Sequence, residues 1–273
     1  MTRVRGRVVV VTGASGGIGR ATALRLARHG ATVIGAARDT GRLSRLADEV
    51  NVRTKIETMA CDVRSAADRR ALIEQVLATH GRIDALVNNA GVGFDGLLED
   101  MSLEDVERVV QTNITGLVDL TRLVLPNMLT RGSGDVVNIS SVVAWYAAPP
   151  LGVYSASKFF VDGFTQALRR EVWSRGVKVH SINPGPVATE FGLRSRSMPI
   201  EAGSEPGRNG GVPAGWVAAA VERSMTRPWP RTAAVPRVLG LIRATQLLGI
   251  RTALDISSTL PLGRRVRPTE PVE

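Results

Sequence analysis

Tyr154 and Lys158 lie four residues apart, so on a helix they share a face. A free tyrosine phenol has a pKa of about 10 and is a poor base near neutrality. An ammonium group beside it favours the phenolate, so the pair is expected to draw the phenol down toward the working range of a general acid or base. Lysine also keeps donors to spare for a second partner such as a sugar hydroxyl. Taken alone, the pair reads as readily as a buried helix aromatic beside a snorkelling lysine. A second feature lies far upstream. Thr12, Gly13, Ala14, Ser15, Gly16, Gly17, Ile18 and Gly19 follow an apolar run and open a helical pattern. Glycines let backbone N–H groups approach a pyrophosphate, and the helix N-terminus adds partial positive charge, so Gly13, Ser15, Gly17, Ile18 and Gly19 are read as a dinucleotide cradle. A Walker loop is excluded, because no Gly-Lys-Ser/Thr follows.

These groups must be positioned by the elements between them. Apolar runs at Val8–Val11, Val33–Ala37, Ile56–Cys61, Ile83–Val87, Val136–Ser140 and Val177–Ile182 alternate with helical patterns. Ser65 to Asp68 and Ser102 to Asp105 have the spacing of capping boxes, each opening a helix. Residues 152–175 read as one long helix, Trp216–Met225 as a later one, and Thr232–Val235 as a last strand. Runs apolar on both faces, alternating with helices, predict an α/β fold with a doubly wound, mostly parallel sheet covered on both sides. Such sheets take ligands at the carboxyl ends of their strands. The polar residues that follow each run are therefore the candidates. The chain divides into a catalytic domain over 1–235, with a mobile substrate loop at about 191–215, and a helical extension and tail over 236–273.

The end of the second run should meet the adenosine ribose. An acid there accepts from a free 2′-hydroxyl, whereas an arginine accommodates a 2′-phosphate. Arg38 comes first and Asp39 second, which favours NADP(H) over NAD(H). Asp39 could turn away, pair with Arg38 or cap the next helix. Asp62 and Val63 end the third run. There a carboxylate could read an adenine amino group, or simply make the turn.

Tyr154 to Lys158, the glycine loop, Asn88 to Gly91, Asn138 to Ser141 and Asn183 to Gly185 stand in an order and spacing that resembles the short-chain dehydrogenases/reductases over about residues 5–190. The resemblance implies a seven-stranded Rossmann-like sheet, a nicotinamide cofactor, and hydride transfer between an alcohol and a ketone or aldehyde. It implies Asn113, Ser141, Tyr154 and Lys158 as the catalytic set. Ser141 and Tyr154 would bind the carbonyl oxygen, Tyr154 would pass the proton, and Asn113 would hold a water connecting Lys158 to solvent. Ser140 is the rival of Ser141, and only one of two successive strand residues can face the site. The resemblance also places Asn89, Ala90 and Gly91 along the cofactor. It places Pro184, Gly185, Val187 and Thr189 in the segment over the nicotinamide. Homodimers or homotetramers are common among such relatives. One departure is Gly16, where NADP-preferring members often carry a basic residue. That leaves Arg38 as the main determinant.

The loop at 191–215 carries Phe191, Leu193, Met198 and Ile200. With Trp145 and Tyr146 these suggest an apolar pocket, unless Trp145 and Met198 only pack the loop. An apolar helix with Arg237 and Arg243 is read over Pro236–Ile250. It would pack on a neighbouring subunit, cover the pocket, or lie on a membrane surface. Mean hydropathy is near zero and 44% of the 273 residues are apolar, so a sizeable core is available without staples. A single cysteine excludes an intrachain disulfide and fits a reducing cytoplasm. Three scattered histidines argue against a metal site. The arginines before Val8 imitate a secretion signal, but the apolar run is too short and ends in the glycine turn. Net charge is +10, with 32 of 35 basic residues arginine, yet no like-charge run and few aromatics accompany it. Nucleic-acid binding is therefore not expected. Two other activities fit the sheet less well. A nucleotide-sugar epimerase or dehydratase would carry a longer segment after the sixth strand. A silent redox sensor would have no need of a proton relay.

Overall fold

The computed structural model describes residues 4–49, 56–147, 149–191, 211–241 and 243. Seven strands form one parallel sheet: β1 (Val8–Thr12), β2 (Thr32–Ala37), β3 (Ile56–Ala60), β4 (Ala85–Asn88), β5 (Gly134–Ile139), β6 (Val177–Pro184) and β7 (Thr232–Val235). Their order is β3-β2-β1-β4-β5-β6-β7. The chain winds outward from β1 in one direction and from β4 in the other. The crevice where the direction reverses therefore opens at the carboxyl ends of β1 and β4.

Strand periodicity divides the apolar side chains between two cores. Val9 and Val11 of β1, Val87 of β4 and Val137 of β5 face one layer. It is formed by α1 (Gly17–Arg28), α2 (Thr40–Asp48) and α7 (Ala214–Met225). Val8, Val10, Leu86 and Val136 face the other. That layer is formed by α3 (Ala66–His80), α5 (Gly116–Thr130) and α6 (Gly152–Val172). Both faces are covered, which is why the strands read as unbroken apolar runs.

Local chemistry sets the helix starts. The Ser65 hydroxyl accepts from the Asp68 amide and caps α3. Ser102 does the same through Asp105 for α4 (Leu103–Val110). Between α4 and α5 a π-helical turn, Gln111–Thr115, carries Asn113. Two boundaries differ from the sequence reading. The long helix ends at Val172 and is followed by a separate 3-10 turn over Trp173–Arg175, because Gly176 takes a left-handed φ of 80° into β6. α7 begins at Ala214, just after Pro213, so the loop read to 215 ends earlier. Leu193, Met198 and Ile200 lie outside the described residues, as does Ile250 with most of the helix read over Pro236–Ile250. Of that stretch, Arg237–Leu239 forms a 3-10 turn. Among the described residues no helix is long and apolar enough to cross a membrane.

Candidate active site

The glycine loop joins β1 to α1 through an approach too close for side chains. Gly13 has φ +65°, and a Cβ there would lie 2.9 Å from the Asn89 amide nitrogen and 3.0 Å from the Ala90 Cα. At Gly19 a Cβ would meet the Gly13 carbonyl oxygen at 2.2 Å. Thr12, not singled out by the sequence, locks this geometry. Its hydroxyl accepts from the amides of Asn89 and Ala90, both at 3.0 Å. Asn89 in turn donates from Nδ2 to the carbonyls of Thr12 and Gly13. Asn88 is buried below, donating to Asn138 of β5 and Thr121 of α5, and Asn138 donates to Thr165 of α6. The crevice floor is thus held by amide side chains across the middle of the sheet.

α2, α3 and α4 are each capped by a side chain, but α1 is not, and it has no acid in its first turn. An uncapped N-terminus facing a glycine turn leaves donors for an anion. Ser15 is half-buried beside it, and Ile18 packs on the core beneath. These residues fit the pyrophosphate of a dinucleotide.

At the end of β2, Arg38 is exposed. Asp39 is the cap of α2: its Oδ1 accepts from the Arg42 amide at 2.9 Å, and its Oδ2 lies 3.4 Å from the Arg42 guanidinium. Of the three roles open to Asp39, the structure shows the helix cap. Asp62 makes its own turn, accepting from the Arg64 amide at 3.0 Å and from the Arg64 guanidinium. That hydrogen bonding, chiefly from the Arg64 side chain, holds its carboxyl below the usual range, with Arg38 adding a smaller pull. Val63 is buried in the core, and its carbonyl accepts from Arg69.

The carboxyl ends of β5 and β6 carry the remaining groups. Ser140 turns away into the protein, donating to the Lys158 carbonyl at 3.2 Å. Ser141 faces the crevice beside the Tyr154 side chain, donates to the Pro184 carbonyl at 3.4 Å and accepts from the Val143 amide at 3.3 Å. The Lys158 ammonium lies 5.6 Å from the Tyr154 ring centroid and donates to the Ile139 carbonyl at 3.1 Å. Gly91 closes this side, since a Cβ there would stand 3.7 Å from Lys158 Nζ and 3.3 Å from Asn113 Oδ1. Asn113 receives the Val92 amide on Oδ1 and donates to the Val92 carbonyl and to Ser157. Its side chain therefore fixes the loop after β4 against α6.

The electrostatics correct one expectation. Burial pushes the Tyr154 phenol up to about 12, against a smaller downward pull from the Ser141 hydroxyl. Burial also brings the Lys158 ammonium down to about 8. The ammonium does not lower the phenol here, because it stands over the ring face and points its proton at a backbone carbonyl, while loss of water penalises both charged forms.

The segment after β6 spans the crevice. Pro184 and Gly185 are tied to β7, Gly185 donating to Val235, and Val187 pairs with Val212. A Thr189 methyl sits 3.2 Å from where a Cβ on Gly17 would be. Phe191 lies against Tyr154 with ring centroids 5.9 Å apart. Trp145 does not line the opening. It is buried against Ala144, Ala234 and Leu239, with Arg243 stacked 5.7 Å from its ring. Sequence reasoning missed Thr12, Arg42, Ser157 and Glu190. Arg42 and Glu190 meet across the crevice, and their only sequence signal is ordinary surface charge.

A sequence model of the short chain dehydrogenase family matches residues 7–199. The chain is 37% identical over 188 residues to a 3-oxoacyl-[acyl-carrier-protein] reductase of Thermotoga maritima, covering 68% of this chain and 76% of that one. It is similar in structure to a variant of actinorhodin polyketide ketoreductase with NADPH, at TM-score 0.78 and 32% identity, covering 88% of this chain and 99% of the other. It is also similar to a 3-ketoacyl-(acyl-carrier-protein) reductase of Brucella melitensis complexed with NADH, at TM-score 0.74 and 27% identity, covering 86% and 99%.

Proposed function

The chain belongs to the short-chain dehydrogenase family, and from that premise we propose that it is an NADP(H)-dependent reductase of an apolar ketone or aldehyde. The nicotinamide, when bound, supplies the hydride. Gly13, Ser15, Gly17, Ile18 and Gly19 hold the pyrophosphate, Asn89 to Gly91 line the dinucleotide, and Thr189 covers it. Arg38 faces the 2′-phosphate. The preference for NADP rests on Asp39, whose carboxylate is taken up in capping α2 and pairing with Arg42. The acid that would accept from a 2′-hydroxyl is thereby engaged elsewhere.

One observation carries the chemistry: Ser141 and Lys158 converge on the Tyr154 side chain, Ser141 near enough to favour its phenolate and the Lys158 ammonium over its ring. Both hydroxyls donate to a carbonyl oxygen placed between them, where negative charge grows during reduction. A phenol held near 12 keeps its proton at neutral pH, the form that must donate to a nascent alkoxide. Lys158 uses one of three N–H donors on Ile139, which leaves two for a sugar hydroxyl and for a proton path. Phe191, packed against Tyr154, gives the opening an apolar wall.

The test is oxidation of NADPH and NADH across aliphatic, aromatic, steroid and polyketide-like ketones. Faster turnover with NADPH, lost by a factor of about a thousand in Tyr154→Phe while NADPH still binds, is the expected result. Near-normal turnover in that variant would sink the proton relay. Faster turnover with NADH would reverse the cofactor preference and leave the chemistry standing.

A further inference from the structure

Arg42 reaches from the first turn of α2 to the glycine loop. Its Nη1 lies 3.8 Å from where a Cβ on Gly16 would begin. A basic side chain at position 16 would leave the backbone at that point. The loop itself carries none, so the charge arrives from another element. The guanidinium is not idle there. Its Nη1 donates to the Glu190 carboxylate at 2.6 Å, and its Nε lies 3.4 Å from Asp39. Glu190 is held in place by its neighbours. Thr189 packs over Gly17, and Phe191 packs against Tyr154 and 3.1 Å from the Cβ position of Gly93.

We propose that Arg42 is a second ligand of the cofactor 2′-phosphate, and that Glu190 is the anion that occupies Arg42 until the phosphate displaces it. This rests on the NADP reading above and deepens it. A phosphate monoester carries close to two negative charges and binds a planar guanidinium through paired donors. It therefore outcompetes a single carboxylate for Arg42. A dinucleotide with a free 2′-hydroxyl has no group to break the Arg42–Glu190 pair. Discrimination between the two cofactors is then shared by Arg38 at the end of β2 and Arg42 on α2, with Glu190 opposing the phosphate by like charge.

Dissociation constants for NADPH and NADH are measured by nucleotide fluorescence on the full chain. Competition by 2′-AMP and 5′-AMP isolates the phosphate from the nicotinamide. In Arg42→Gln, NADPH and 2′-AMP should weaken about tenfold, equivalent to about 1.4 kcal/mol, while NADH and 5′-AMP move little. Glu190→Gln should tighten NADPH and 2′-AMP selectively. Equal effects of Arg42→Gln on both cofactors, or none, with Arg38→Gln still selective against NADPH, would overturn the role of Arg42 and leave the NADP reading intact. Wild-type protein that binds NADH more tightly than NADPH would remove that reading and the proposal together. Looser NADPH binding in Glu190→Gln would also overturn it, since Glu190 would then be helping the phosphate site.

Discussion

The two ends of the parallel sheet treat buried charge in opposite ways. At the amino end, Asp135 of β5 is buried among cations. Arg7 contacts it at 2.6 Å, Lys178 at 3.2 Å, and His180 Nε2 donates to it at 2.8 Å. The other His180 nitrogen accepts from the Arg231 amide, so the ring is neutral with both positions used. Burial pushes the Asp135 carboxyl up, but the His180 hydrogen bond and the Arg7 and Lys178 charges hold it below the ordinary range. At the carboxyl end, Lys158 is buried and Tyr154 half-buried, no opposite charge compensates either, and each is driven toward its neutral form. Paired charge marks the end that holds the strands together. Desolvated, uncompensated groups mark the end where a proton can move.

Replacing Lys158 should therefore separate function from stability. Lys158→Met is expected to lower turnover by about a hundredfold or more. It should also stabilise the protein at neutral pH. The folded-state value near 8 lies below the unfolded value of about 10.4, so the charged form penalises folding below pH 8. The gain is up to about 3 kcal/mol, and a wild-type urea midpoint that rises between about pH 8 and pH 10 is its counterpart. A variant less stable than wild type at pH 7 would break the comparison at the carboxyl end.

Asp135→Asn should do the reverse, losing about 3 kcal/mol of stability with kcat unaltered, because Arg7 and Lys178 lose their partner. Acidification probes the same cluster. Burial lowers the His180 pKa below its ordinary value, so the unfolded chain takes up protons first and stability falls from about pH 6.5 downward. The depressed Asp135 carboxyl adds a second loss as pH falls past about 3.9 toward its folded value. Urea midpoints from about pH 7 to pH 2 would show both, with the second reduced in Asp135→Asn.

The smallest expected effect lies at the edge of the sheet, in the turn after β3. Ser65→Ala removes the cap of α3 and should cost about 1 kcal/mol in chemical denaturation, with no change in turnover. A larger loss would mean that the turn at Asp62, whose amide donates to Asp68, depends on that cap.

The strands, the capping boxes and the glycine turn were legible because each depends on residues within a few positions of one another. β7 lies over Thr232–Val235, the span its pattern predicts. The site was legible in part. Tyr154 and Lys158 declare themselves at helical spacing. Ser141 and Ser140 stand at the end of a strand whose residues alternate faces, and only the packing of α6 against β5 shows that Ser140 turns inward to the Lys158 carbonyl. Asp39 kept three open roles until the start of α2 gave it a backbone amide to cap. Trp145 looked like a pocket residue by its closeness to Tyr154 in sequence, but β7 and Leu239, far along the chain, bury it.

The sequence by itself determined the alternation of strand and helix, the glycine turn and the pairing of Tyr154 with Lys158 on one helix face, since backbone propensity, glycine permissiveness and i to i+4 spacing are local. Tertiary structure alone decided the ionisation of that pair and the company of Arg42. The direction of a pKa shift depends on how much water the surrounding elements exclude and whether they bring a counter-charge. Arg42 meets Glu190 across 148 residues of chain, a contact that local spacing does not encode and that arises only when the segment after β6 folds back over the glycine loop.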